Sequence, residues 1–221
     1  MLRHGWLRQM PAAFSAAVLE RSVLQEFEAG ASIYAAGDGP GGMYGLVSGG
    51  ISVAIAPGER GPYFAHFFGP GDWFGEGPAV SGRPRIVGLT VSRRTKLFHL
   101  SLRAIDDILR DEPSSWRHFA TLVLVKLELA LAALDDLMIR DSAQRLVAVL
   151  LRLGGCRGPT PSRMAPYLIH VSQEDLAAMA NVSRSTANAI VRRLEAAGQV
   201  SQSYRQIELL APESLRALLA E

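Results

Sequence analysis

Val171-Ser-Gln-Glu-Asp-Leu-Ala-Ala-Met-Ala-Asn-Val-Ser-Arg-Ser-Thr-Ala-Asn-Ala-Ile-Val-Arg-Arg-Leu-Glu195 is the stretch whose reading decides the fold. Ser172-Gln-Glu-Asp175 is a variant capping box. The Ser172 hydroxyl can accept from the backbone N–H three residues on, and Asp175 can return the bond. Leu176, Ala177, Met179 and Ala180 supply the apolar and small positions of a short helix. Asn181 falls where the chain needs a left-handed residue, a conformation asparagine tolerates better than most. Val182 then tucks beneath the turn, and Ser183 caps a second helix, Arg184 to Ala197, which Gly198 stops. The buried face of that helix reads Ala187, Ile190, Val191 and Leu194. Its open face reads Arg184, Ser185, Asn188, Ala189, Arg192 and Arg193. Helix, short turn, helix, with small residues at the crossing, is the helix-turn-helix pattern, whose second helix enters the major groove N-terminus first.

The chemistry of the open face agrees with that placement. Arginine can bridge guanine O6 and N7, and asparagine can bridge adenine N6 and N7. Ser183, Thr186 and the helix N-terminus suit phosphate, and Ser172 and Gln173 join them at the head of the first helix. Downstream, Gln199 to Leu210 can form a two-strand wing around Ser203-Tyr-Arg205, and Pro212 opens a last short helix. The competing reading is a helical hairpin for protein contact, its arginines merely solvated.

Working toward the N-terminus, Asp141-Ser142 starts a helix with Leu146, Val149, Leu150 and Leu153 on one face. Gly154-Gly155 ends it, and Gly158-Pro-Thr-Pro161 is a loop. Before it, a helix runs from Pro113 to about Met138. Trp116, Val123, Ala130 and Leu137 recur at seven residues, with Ala120, Leu127 and Leu134 between them, an a/d seam over about three heptads. Leu122, Leu124, Leu129 and Leu131 lie off the seam, so the helix is apolar on more than one side. Packing one face on the preceding domain and the other on a second copy would cover it, which predicts a homodimer. A core helix within one chain is the alternative.

From Glu26 to Ser101 the texture is antiparallel β. Ile51-Ser-Val-Ala-Ile55, Tyr63-Phe-Ala-His-Phe-Phe68 and Ile86-Val-Gly-Leu-Thr-Val91 are β-branched or aromatic runs. Gly37-Asp-Gly-Pro-Gly-Gly42, Pro57-Gly58, Gly69-Pro-Gly71 and Gly82-Arg-Pro84 cut them apart as turns. Many short strands at this spacing predict a sandwich or roll. Arg93-Arg94 with Lys96 reads as a solvated strand edge. Ahead of the strands, Pro11-Ala-Ala-Phe-Ser-Ala-Ala-Val-Leu19 loosely mimics a signal peptide but carries on into Glu20-Arg21 and Gln25-Glu26. It reads as an amphipathic surface helix through Phe14, Val18 and Leu24. The chain is thus α+β in three parts: 1–112, 113–141 and 142–221.

Composition narrows the function classes. Hydrophobic residues make up 48%, which argues against disorder, and no run of ~18 uncharged apolar residues exists to span a membrane. Cys156 is the one cysteine, which excludes an internal disulfide framework and fits a reducing cytoplasm. The first 141 residues carry 14 basic and 15 acidic side chains, and the remaining 80 carry 9 and 6. The positive excess sits in the part that would meet phosphate. His66 and His99 fall on strands and His4 at the terminus, none in a metal-binding pair. Asp106-Asp107 and Asp135-Asp136 point to different helix faces and make no paired-carboxylate site. No nucleophile elbow or P-loop is present, so the chain does not read as an enzyme.

The run Val171–Glu195, together with Gly71-Asp-Trp-Phe-Gly-Glu76, resembles the Crp/Fnr family of regulators, that of the cyclic-AMP receptor protein. The resemblance covers nearly the whole chain. It implies an N-terminal β-roll sensor of the cyclic-nucleotide-binding kind, a long dimerisation helix and a C-terminal winged reader. The homodimer would bind double-stranded DNA and recruit or obstruct RNA polymerase. In cyclic-AMP-binding members the cassette places a Gly-Glu, then an Arg-Ser that holds the cyclic phosphate, and the long helix offers Thr-Ser to the adenine. Here Gly75, Glu76 and Arg85 match, but Ile86 replaces the serine and Ala130-Leu131 replaces the hydroxyl pair. The segment Gly77–Gly82 is one residue short and contains a proline. The expectation is a degenerate pocket not tuned to cyclic AMP, its effector unidentified and no cofactor implied. A nucleotide-binding interaction module without sequence-specific DNA binding is the alternative function. Relative to members with the better-known operator, Ser185 stands for a glutamate and Ala189 for an arginine, so the bases read should differ.

Overall fold

The computed structural model describes residues 5–55, 63–158 and 166–220. The Pro57-Gly58 turn, His4 and the end of the Gly158–Pro161 loop lie outside the described residues. The chain forms two compact units, one ending at Leu127 and the other beginning at Glu128.

In the first unit a 3-10 turn (Trp6–Gln9) and helix α1 (Ala12–Glu20) precede six strands: β1 (Val23–Phe27), β2 (Ser32–Tyr34), β3 (Met43–Ile55), β4 (Tyr63–Phe68), β5 (Trp73–Phe74) and β6 (Val87–Leu100). All pairings are antiparallel. The sequence suggests many short strands, yet β3 and β6 run 13 and 14 residues and pair along most of their length. Each then shares its outer edge between two shorter partners: β6 pairs with β1 and β2, and β3 pairs with β4 and β5. The long strands survive their glycines because register shifts at Ser48 and Gly50 absorb the bend instead of ending the strand. Gly49, at φ 98, sits where a Cβ would fall 2.1 Å from the Thr95 hydroxyl, so only glycine fits.

Two local readings are corrected here. Helix α1 stops at Glu20, and Leu24 lies on β1, 49% exposed, because strand pairing with Phe98 claims it. Arg93, Arg94 and Lys96 are not on a sheet edge, since β6 runs between β1 and β3. Arg94 and Lys96 pair with Glu26 across the ladder, and Arg93 donates to the Gly49 carbonyl.

The core of this unit joins both ends of its chain. Trp6, Leu7, Phe14 and Val18 pack with Met43, Trp73 and Leu100, with Ile105 and Ile108 of helix α3 (Leu102–Asp111), and with Phe119 and Leu122. The last two open helix α4 (Trp116–Met138), which follows a 3-10 turn at Pro113–Ser115. Trp6 Nε1 donates to the His118 carbonyl at 2.9 Å. One face of α4 is thereby covered, while the seam residues Trp116, Val123, Leu127, Leu134 and Leu137 are exposed, as are Leu124, Leu131 and Ala130. None of the described helices is long and apolar enough to cross a membrane.

The second unit packs helix α5 (Ser142–Leu153) at its centre, with Leu146 through Leu153 all buried. Asp141 caps it, accepting from the N–H groups of Ala143 and Gln144 at 2.9 and 2.8 Å. Strand β7 (Tyr167–Ile169), helices α6 (Gln173–Met179) and α7 (Arg184–Ala196), strands β8 (Val200–Ser203) and β9 (Gln206–Leu209), and helix α8 (Pro212–Ala217) follow. The sheet order is β7-β9-β8, so the wing has a third strand that the two-strand reading missed. Within this unit Asp136 is wholly buried and accepts from Arg152 Nε at 2.7 Å and Arg157 Nε at 3.0 Å, which ties the end of α4 to α5.

Candidate nucleic-acid interface

Local hydrogen bonds aim α7. Ser172 Oγ accepts from the Asp175 N–H at 3.0 Å, as a capping box requires. The return bond differs: the Ser172 hydroxyl itself donates to Asp175 Oδ2 at 2.6 Å. The shorter aspartate therefore closes on the hydroxyl rather than on the backbone N–H of Ser172, where a glutamate would reach. Asn181 takes φ 49, and the Val182 N–H bonds the Ala177 carbonyl, so the turn reverses within two residues. Arg145 of α5 holds that turn from below, donating to the Ala180 carbonyl at 2.6 Å.

Ser183 then caps α7, accepting from the Thr186 N–H at 3.1 Å, with the Ser185 and Thr186 hydroxyls each 2.8 Å from its own. Three hydroxyls and the free N–H groups of the first turn thus meet at one helix N-terminus, an arrangement suited to a phosphate oxygen. At the far end Gly198, at φ 69, bonds the Glu195 carbonyl while the Gln199 N–H reaches Leu194, a Schellman closure. Ala187, Ile190, Val191 and Leu194 are buried. Arg184, Ser185, Ala189, Arg192 and Arg193 are exposed, Thr186 is half-buried, and Asn188 is half-buried with its Oδ1 3.4 Å from Gln173 Nε2. That bond links the heads of α6 and α7 and leaves the Asn188 amide N–H groups available to a base.

Beside α7 stands the wing. Ser203 pairs with Gln206, so Tyr204 and Arg205 form its apex. Tyr204 is 91% exposed, and Arg205 sits in the left-handed region at φ 53. A cleft of roughly 330 Å³ separates the wing from the helix N-termini, with Ser172, Gln173 and Arg184 on its lining together with Ser203, Arg205 and Gln206. Among the described residues Arg184, Arg192, Arg193 and Arg205 take part in no ion pair, so their charge faces solvent. The sequence pattern locates the wing around Ser203-Tyr-Arg205 but does not single out its apex pair as candidate site residues. Their signal is the lone aromatic–arginine dipeptide between two polar runs.

The first unit brings Gly75, Glu76 and Arg85 together. Arg85 is buried, donates to the Gly42 carbonyl at 2.8 Å and the Gly75 carbonyl at 3.3 Å, and lies 4.1 Å over the Tyr34 ring. Gly75 has φ 91, and a Cβ there would meet both the Arg85 guanidinium and the Gly42 carbonyl inside 3 Å. Glu76 opens helix α2 (Glu76–Ser81). Burial pushes its carboxyl above the usual carboxylate range, and the positive charges of Lys126 and Arg85 pull it part of the way back. Ile86 is 82% exposed. Ala130 and Leu131 lie on α4 beyond the boundary at Leu127, both exposed. Tyr34, Gly42 and Lys126 were not anticipated. Lys126, whose ammonium lies 4.2 Å over the Phe68 ring, could have been suspected as a charge inside the apolar run Leu122–Leu127.

Comparison with known proteins agrees with this geometry. Residues 24–112 match the cyclic nucleotide-binding domain, and residues 144–218 match the Crp-like helix-turn-helix domain. The HTH-type transcriptional regulator Cmr of Mycobacterium tuberculosis is 26% identical over 211 residues, covering 91% of this chain and 78% of Cmr. FixK2 from Bradyrhizobium japonicum superposes with a TM-score of 0.75 at 17% identity, over 89% of this chain and 96% of its own. The c-di-GMP responsive global regulator CLP of Xanthomonas campestris gives 0.67 at 20% identity, over 90% of this chain and 99% of its own.

Proposed function

Since the chain belongs to the Crp/Fnr family of DNA-binding transcription regulators, we propose that it acts as a cytoplasmic homodimer whose α7 helices read two half-sites and whose sensor unit does not respond to cyclic AMP. The observation that carries the reading is the face of α7. A capped N-terminus with three clustered hydroxyls leads into Arg184, Ser185, Asn188 and Ala189, with Arg192 and Arg193 further along. Arg184 and Asn188 have the donors that distinguish guanine and adenine in the major groove, whereas Arg192 and Arg193 suit the backbone. The exposed apolar seam of α4 supports the dimer, because nine large apolar side chains of one helix face solvent in the single chain. Contact with RNA polymerase belongs to the same proposal and follows from family membership.

Two features support insensitivity to cyclic AMP. Ile86 offers no hydroxyl and faces solvent. Ala130 and Leu131 bring no hydroxyl either, while Arg85, held by two carbonyls and a tyrosine ring, keeps its buried Nε–H without a partner, so that weak anion binding stays open to it. Selection from a random duplex library with the purified protein tests the DNA reading. The expected product is a palindrome with half-sites one helical turn apart and a sequence different from the cyclic-AMP receptor protein's operator. Recovery of that operator, or of no sequence preference, would contradict the assignment.

A further inference from the structure

The cleft beside α7 has a far wall, and the wing is that wall. Arg184, Ser172 and Gln173 line it from the helix N-termini, and Ser203, Arg205 and Gln206 line it from the hairpin. Glu174 is the one carboxylate in the lining, against two arginines. A duplex that takes α7 into its major groove N-terminus first presents to this cleft the sugar–phosphate strand bordering that groove. On the other side of that strand lies the minor groove, and on the other side of the cleft lies the wing apex.

The apex is built in an unusual way. Arg205 holds φ 53, a conformation that glycine takes freely and a long side chain takes at a cost. A two-residue hairpin loop calls for a positive φ at a central position, where glycine or asparagine is usual, and here an arginine fills it. Tyr204 beside it exposes 91% of its surface, and Arg205 takes part in no ion pair among the described residues.

We propose that the wing apex reads the minor groove next to the half-site: Arg205 enters the groove, Tyr204 lies against its sugar wall, and the protein favours A·T pairs there. Narrow A·T-rich grooves concentrate negative potential and draw in arginine. Adenine N3 and thymine O2 are acceptors for the guanidinium, whereas a G·C pair adds the guanine N2 amino group, a donor facing a donor. The inference rests on the DNA-binding reading above and adds a second, separately testable element of sequence preference.

The test uses the full-length protein and the duplex recovered by selection, prepared with A·T, G·C or inosine·C pairs at the positions bordering the half-site. Inosine·C keeps the major-groove pattern of G·C but lacks the minor-groove amino group. A·T and inosine·C should bind alike, and G·C about tenfold more weakly. Arg205→Gly keeps the left-handed turn and relieves its strain, so its thermal unfolding should be unchanged or raised while the difference among the three duplexes collapses. The proposal is overturned by equal binding of the three duplexes to the unaltered protein, or by a difference that survives Arg205→Gly. It is overturned as well if the variant loses affinity equally on all three with a salt slope lower by about one, which would make Arg205 a phosphate contact. If selection recovers no preferred duplex at all, the DNA-binding reading itself fails.

Discussion

At the scale of single residues, the same side-chain chemistry does opposite things in the two units. Arg184 stands exposed and unpaired, ready for a partner outside the chain, while Arg85 is buried and held by backbone carbonyls inside it, with its Nε–H left without a partner. Arg184→Ala should therefore cost about 1–3 kcal/mol on the best duplex and relax the preference at one base pair. Anisotropy titrations against single-base variants of that duplex check both effects, and a uniform loss across the variants would assign Arg184 to the backbone. Glu76 gives a second prediction. Its carboxyl is pushed up by burial, against the opposing pull of Lys126 and Arg85. A carboxyl with a raised folded pKa favours the native state while protonated, and that contribution is lost as pH rises through the folded value. Glu76→Gln should thus stabilise the first unit at pH 7 to 8, with the gain vanishing below about pH 4, where the glutamate is protonated in both states. Thermal unfolding of both proteins across that range measures it; a gain that persists in acid would mean the effect is packing and not charge.

Elements add what no residue shows alone. Helix α4 buries Phe119 and Leu122 against the core of the first unit and ties its last turns to α5 through Asp136. Its seam is left without a partner in the chain. Leu127 and Leu134, 53% and 57% exposed, cost nothing to the monomer's core if replaced. Leu127→Asp with Leu134→Asp should therefore give a folded monomer, since each crossing of a paired seam would bury like charges. Sedimentation velocity distinguishes the outcomes, and an unchanged dimer would show that α4 is not the interface. The recognition helix is the opposite case. Its hydroxyl cap, left-handed asparagine and Schellman glycine all act within a few residues, so the element was readable from its own sequence.

For the whole molecule the question is what links sensor to reader. On the proposal above, the serine hydroxyl absent at Ile86 and the hydroxyl pair absent at Ala130-Leu131 would remove two or three hydrogen bonds from a cyclic-AMP complex. At about 1 kcal/mol each, affinity would then fall by one to two orders of magnitude. Calorimetry with cyclic AMP at micromolar concentration should accordingly show no saturable binding, and the nucleotide should leave DNA affinity unchanged. Tight binding coupled to stronger DNA binding would mean that Glu76 and Arg85, each with a buried polar atom left without a partner, suffice to hold the nucleotide.

The sequence by itself determined the elements whose bonds are local: the capping serines, the Asn181 turn, the Gly198 stop, the open and buried faces of α7, and the apolar seam of α4. Period and caps decide these within a few residues, and they were enough to identify a DNA-reading fold and its family resemblance. Only the tertiary structure decided what depends on partners far along the chain. The length of β3 and β6 follows from their mutual pairing, which overrides glycines that look like strand ends. The third wing strand comes from Tyr167–Ile169, some forty residues before Gln206–Leu209. The occupation of Arg85 needs Gly42 and Tyr34, both more than forty residues away. Side-chain burial and long-range pairing are sums over neighbours that the one-dimensional pattern does not record, which is why the reading head was legible and the interior of the sensor was not.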